Sequence, residues 1–217
     1  IKKMSEEFIR EVDEELKEEK YAKLWKKIGP YVISFAFGIV LFTTGFVGWG
    51  AYIEKKKQEL GDDFTTAVEL LKEKDFDTAL IALEKITDGA SDGYVTMAQM
   101  KKASILINKN QIEEGLAIYL DLEKTAVDQS FKDISTILYV LNAMNHEPPE
   151  LLLEKIERLT KDNAWMFSAL ELKGFIFMRS KQFIKAKEVF EEIIKKNNAP
   201  ATLSGRARDM LEYLKGI

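Results

Sequence analysis

The heptapeptide Lys74-Asp75-Phe76-Asp77-Thr78-Ala79-Leu80 recurs twice along the chain, as Asn110-Gln111-Ile112-Glu113-Glu114-Gly115-Leu116 and as Lys181-Gln182-Phe183-Ile184-Lys185-Ala186-Lys187. Each copy has a polar turn, an apolar residue, two intervening residues and then a small residue. The apolar positions 76, 112 and 183 are 36 and 71 apart, so a further copy is expected near 148. There the chain has His146-Glu147-Pro148-Pro149, followed by Leu152, Leu153, Ile156 and Leu159 at helical spacing. This is a degenerate copy of the same unit. A fixed period of 20–50 residues is the mark of an array in which each unit buries its apolar face on the next.

Three columns follow from this register. Ala79, Gly115, Leu152 and Ala186 form the turn-side column. Twelve positions earlier stand Ala67, Ala103, Val140 and Gly174, and four positions later stand Leu83, Tyr119, Ile156 and Phe190. Two antiparallel helices cross closely only where small residues meet, and a large neighbour fills the next gap. Phe76, Ala79, Leu80 and Leu83 trace the i, i+3, i+4, i+7 stripe of an amphipathic helix, as do Ile112, Gly115, Leu116 and Tyr119. No alternating strand pattern of useful length competes. The pattern resembles the tetratricopeptide repeat, a helix-turn-helix unit of roughly 34 residues. The last copy fits best, and Leu152 in a small slot marks the third as divergent. Residues 201–214, with Leu203, Ala207, Met210, Leu211 and Leu214, are expected to form a capping helix, set off by Asn197, Asn198 and Pro200.

The chain has 217 residues, with 46% apolar and 31% charged, close to ordinary globular usage. Twelve glycines and four prolines are too few for an all-β chain rich in tight turns. With no cysteine and one histidine, disulfide scaffolds, thiolate metal sites and His-rich zinc sites are excluded. The net charge of −4 gives no global basic field for nucleic acid.

Charge is unevenly spread. Residues 1–27 hold eight basic and eight acidic side chains, residues 28–53 hold no ionisable group but Tyr31 and Tyr52, and residues 54–217 hold 24 basic and 28 acidic. A membrane-spanning helix needs roughly 20 mostly apolar residues. Pro30 is tolerated at a helix start. Tyr31 at one end and Trp49 and Tyr52 at the other suit the headgroup interfaces. The expected organisation is therefore a cytoplasmic charged tail over 1–27, a transmembrane helix over 28–53 and a soluble domain over 54–217. A buried core helix is the plain alternative, but Lys26, Lys27 and Lys55 to Lys57 bracket the span as charged stops. A cleaved signal peptide is the other alternative; its apolar region is usually ~7–15 residues, shorter than this one. Residue 1 is isoleucine, and Met4 is a candidate start.

Residues 13–27 hold five lysines and residues 54–68 hold three, which places the N-terminus in the cytoplasm and the large domain across the membrane. Glutamates interleaved with the lysines of residues 17–27 cancel most of their field toward anionic headgroups. Helical spacing puts Ser34, Gly38, Gly45 and Gly48 near one face, where a second membrane helix would pack closely. Glycine is also simply common in such helices.

The whole chain resembles the YfgM-like family of ancillary SecYEG translocon subunits, single-pass proteins with a tetratricopeptide-like domain, in its alphaproteobacterial branch. The tail Phe8-Ile9-Arg10-Glu11-Val12-Asp13-Glu14-Glu15-Leu16, the uncharged span ending near Trp49, the segment Trp165-Met166-Phe167-Ser168-Ala169-Leu170-Glu171-Leu172 and the ending Ala199-Pro200-Ala201-Thr202-Leu203-Ser204-Gly205-Arg206-Ala207 carry the likeness. The resemblance implies an inner-membrane protein whose periplasmic domain associates with the translocon and with periplasmic chaperones.

An enzyme is disfavoured: no Gly-rich phosphate loop, HExxH or GxSxG is present. His146, beside two prolines in a turn, is expected to be solvated rather than a catalytic base, and the pairs Glu113-Glu114 and Glu191-Glu192 read as solvated helix faces. No cofactor, metal or catalytic residue is expected. A stacked array supplies a concave binding groove lined by the first helix of each pair. A structural or assembly role in another membrane complex is the competing class.

Overall fold

The computed structural model describes residues 2–87 and 93–216, the side chains of residues 2–16, 18 and 19 excepted. The side chains of Met4 and of the tail segment 8–16 thus lie outside the described residues. Among the described residues the fold is all α, with nine helices: α1 Lys2–Lys72, α2 Phe76–Thr87, α3 Gly93–Asn108, α4 Ile112–Thr125, α5 Gln129–Ala143, α6 Pro149–Glu157, α7 Met166–Arg179, α8 Phe183–Lys195 and α9 Ala201–Lys215. Two compact units divide the chain at Gln58 and Glu59.

In the first unit the uncharged span lies within α1, and its side chains are exposed throughout; Phe35, Phe42 and Phe46 are each more than two-thirds exposed. Among the described residues this is the one helix long and apolar enough to cross a membrane. Pro30 is inside α1 rather than at its start. A proline removes one backbone hydrogen bond, and helices in membranes tolerate the gap where neighbouring groups re-satisfy it.

In the second unit all twelve residues of the three columns are buried, with Ala67, Ala79, Leu83, Ala103, Val140, Leu152, Ile156, Ala186 and Phe190 fully so. The helix crossings show why. A Cβ added to Gly115 would lie 2.7 Å from the Ala103 carbonyl oxygen and 2.6 Å from Ile107. A Cβ added to Gly174 would lie 2.6 Å from two ring atoms of Phe190. The columns therefore touch across the pairs α3/α4 and α7/α8, as close packing of small residues demands. Tyr119, in the large column, reaches back across the first of these pairs, its hydroxyl donating to the Met100 carbonyl at 3.3 Å. Burial pushes that hydroxyl's pKa up to about 12.

The turns repeat as closely as the columns. Lys74, Asn110 and Lys181 all have positive φ (64°, 66° and 57°). Their N–H groups donate to the carbonyls of Leu71, Ile107 and Met178 at 3.2, 2.9 and 3.0 Å, and the next N–H donates five residues back, to Leu70, Leu106 and Phe177, at 3.0, 2.9 and 2.8 Å. This pair of bonds closes each first helix in a Schellman motif. Lysine stands twice where glycine would relieve the crowding of Cβ. The third pair ends differently: His146 and Glu147 both donate to the Ala143 carbonyl at 2.9 Å, and Pro148 and Pro149 begin α6.

Gly174→Ala is expected to lower stability by about 1–3 kcal/mol, because the new methyl meets the fully buried Phe190 ring. Phe190→Leu in the same chain should recover part of the loss, as read by thermal melts of both variants. Lys181→Gly should act oppositely and raise stability by about 1 kcal/mol by relieving the left-handed backbone.

Candidate protein-interaction surface

The first helices stack in order, α3 against α5 and α5 against α7. Equivalent register positions of stacked units line one face. Relative to the buried small column, the positions six before, two before and one after lie on the side of each helix turned away from that column. They carry Met97, Lys101 and Ser104 on α3, Ile134, Leu138 and Leu141 on α5, and Ser168, Leu172 and Phe175 on α7. Met97, Ile134, Leu138, Ser168 and Phe175 are half-buried, Leu172 is buried, and Lys101, Ser104 and Leu141 are exposed, Leu141 at 52%. Ile134 and Leu138 have one side in the core, and Phe175 packs edge-on against Phe190 with ring centroids 5.8 Å apart. The position five after the small column is exposed in every copy and polar: Lys72, Asn108, Asn145 and Arg179. Arg179 is held in place, its guanidinium donating to the Glu147 carbonyl at 2.7 Å. An apolar strip edged by donors suits an extended peptide better than a small polar substrate, since it offers contact area and hydrogen bonds without a reactive group.

Two ionic groups brace this face. Asp133, on α5, is buried at 4% exposure. Its carboxylate accepts from Asn163 and Gln129 at 2.7 Å each, and it pairs with Arg158, whose guanidinium also donates to Thr136 at 3.1 Å. Burial alone would raise the Asp133 pKa; the bonds from Asn163, Arg158 and Gln129 and the Arg158 charge outweigh it and hold the carboxyl below its usual range. The backbone N–H of Trp165 donates to Asn163 at 2.8 Å, so the connector between α6 and α7 is fixed to α5. Farther along, Arg206 of α9 grips Glu171 of α7 in a two-point pair at 2.6 and 2.7 Å. This pins the capping helix. Sequence inspection passed over both groups, because apart from Gln129, four residues before Asp133, the bonded partners are 22 to 35 residues apart and carry no motif.

His146 is exposed. It borders an open cleft of about 570 Å³ between the α3–α4 and α5–α6 turns, with Gln111, Glu113, Glu114 and Glu147. Beside the His146 imidazole the lining is amide, carboxylate and the apolar Ile112 and Leu116, with no hydroxyl or thiol, and no cluster of three or more potential metal ligands occurs among the described residues. In the first unit, a Cβ added to Gly38, Gly45 or Gly48 would meet nothing within 4 Å, and Ser34 is exposed. The four small residues thus border open space. Nearby, the Thr44 hydroxyl donates back to the Val40 carbonyl at 2.7 Å.

Comparison with known proteins bears on the fold. A family model described as a tetratricopeptide repeat-like domain matches residues 22–212. Among solved structures, the chain is similar to a tetratricopeptide repeat protein from Parabacteroides merdae, with a TM-score of 0.57 and 14% identity, over 73% of this chain and 61% of that one. At this identity the likeness is one of fold. No curated protein matches the chain.

Asp133 sets an acid limit on the domain. Its pKa is lowered on folding, so its stabilisation is complete above the unfolded value near 4 and is lost as pH falls through the folded value. Asp133→Asn should cost about 2–3 kcal/mol at pH 7, for loss of bonds to a charged acceptor. The gap in melting temperature from the parent should narrow as pH falls below about 4.

Proposed function

The chain belongs to the tetratricopeptide repeat-like family, and on that premise we propose that it is a membrane-anchored module that binds other proteins through the face built by α3, α5 and α7. Proteins of this family generally serve as interaction scaffolds rather than enzymes. The observation that carries the reading is the apolar patch of Ile134, Leu138 and Leu141 on α5, open at Leu141, flanked by Met97, Lys101 and Ser104 on α3 and by Ser168 and Phe175 on α7, and edged by donors. Half-exposed methionine and aliphatic side chains adapt to varied partners, which suits a surface that meets many chains.

The finer reading assigns residues 1–27 to the cytoplasm, 28–53 to the bilayer and 54–217 to the periplasmic side of a bacterial inner membrane. Five lysines against three at the two ends of the uncharged span support this orientation. The likeness of tail, span and C-terminal ending to YfgM-like proteins supports an ancillary role beside the SecYEG translocon and periplasmic chaperones. An anchor keeps the binding face at high local concentration where secreted chains emerge. A structural docking role is the second reading, favoured by the open face of Ser34, Gly38, Gly45 and Gly48 on the span. In that role small residues admit a partner helix.

External protease on spheroplasts should degrade the large domain; clipping of the short tail alone would show the inverted topology. A photoreactive side chain at Leu141 should cross-link partner proteins in native membranes more strongly than one at Ile81 on α2, a control of similar exposure at 58%. Leu141→Asp should weaken that capture and change stability by less than about 0.5 kcal/mol, as expected of a surface substitution. Equal capture from both positions would dismiss the α3–α5–α7 face. Capture that survives Leu141→Asp but vanishes with substitutions at Gly38 and Gly45 would favour docking by the span.

A further inference from the structure

We propose that residues 20–28 of α1 form a collar that binds the headgroups of anionic phospholipids. This proposal rests on the reading of residues 28–53 as a membrane span. Tyr21, Leu24, Trp25 and Ile28 are spaced i, i+3, i+4, i+7 and so form one stripe along the helix. All four are exposed, at 70%, 55%, 62% and 44%, and they line one apolar depression. The stripe runs directly into the uncharged span, so the same bilayer that covers the span covers the stripe. Trp25 folds back on the chain, its indole 3.3 Å from where a Cβ of Gly29 would stand. Glycine there gives the ring room to lie along the helix, at the depth where tryptophan and tyrosine prefer the interface.

Charge selects the lipid. Residues 20–28 contain four lysines, Lys20, Lys23, Lys26 and Lys27, and no acidic residue. On the helix these lysines cover the side opposite the apolar stripe. The glutamates that offset the basic tail stop at Glu19. Residues 17–27 hold five lysines against two glutamates, both before Lys20, so the field is positive over the turns nearest the bilayer. These lysines span about 10 Å of helix axis, and their long stems reach down to the headgroup layer while the aromatic rings hold the interface. A cytoplasmic leaflet rich in anionic lipid is the surface complementary to such a collar, and each lysine near it favours anionic lipid by a factor of about five.

The full chain, extracted from native membranes in detergent-free polymer discs, should carry more phosphatidylglycerol and cardiolipin than the surrounding membrane, by about fivefold or more. The variant K20Q/K23Q/K26Q/K27Q should lose this enrichment while staying resistant to carbonate extraction. Discs without enrichment, or with equal enrichment in the variant, would overturn the collar and leave the membrane anchor standing. Unchanged lipid with loss of a co-purified acidic protein would also overturn it, assigning the lysines to a protein contact. Extraction of the parent chain by carbonate would overturn the span, and the collar with it.

Discussion

The close approach of paired helices at their small residues is the constraint on which the array depends. Gly115 has the Ala103 carbonyl against it, and Gly174 has the Phe190 ring. Neither position has room for another carbon without movement of a packed neighbour. Because the large column fills the gap beside each small residue, the two columns specify the pairing register together. A slip by one residue would bring a bulky side chain into the crossing. The Schellman turns at Lys74, Asn110 and Lys181 then fix the direction in which the second helix leaves the first. Even a left-handed lysine is retained there, because the pair of backbone bonds and the packing on both sides determine the turn.

The third pair departs from this scheme and is held by other means. Val140 and Leu152 occupy slots that are small elsewhere, and both are fully buried. Helix α6 has nine residues and starts from a proline pair. What secures the segment is polar: Asp133 collects Asn163, Gln129 and Arg158, and through Asn163 it holds the chain leading to α7. Lys155 adds a bond to Glu123 at 2.9 Å and lies over the Tyr139 ring at 5.0 Å. A satisfied ionic cluster has directional demands that an apolar contact lacks, so it defines one arrangement where the crossing alone would not.

These features bear on function through the stacking of α3, α5 and α7. A face whose apolar residues are half in the core keeps its helices fixed while the exposed side-chain ends adjust, so a partner would lose little binding energy to ordering it. The glutamate at Glu171 is consumed by Arg206 and the acid at Asp133 by its three donors. What remains along the face is the apolar patch of α5, with Lys101, Ser104 and Ser168 beside it and an edge of asparagine, lysine and arginine. Such a surface discriminates by shape and apolar content more than by charge.

The sequence by itself determined the helical class, the repeat register, the capping helix and the long uncharged stretch. Each is carried by patterns within a few turns of chain: apolar spacing, small residues twelve apart, the absence of charge. Tertiary structure decided the rest. That Pro30 lies within a continuous helix depended on the helix resuming on both sides, which a local rule for proline does not foresee. The bracing pairs join residues 25, 30 and 35 positions apart, Asp133 with Arg158 and Asn163, and Glu171 with Arg206. In the sequence these are ordinary charged residues among the 31% that the chain contains. Which of them is buried, and which apolar residue such as Leu141 is left open, depends on the helix stacked alongside. Burial belongs to the assembled layer of helices, and no single helix encodes its neighbour.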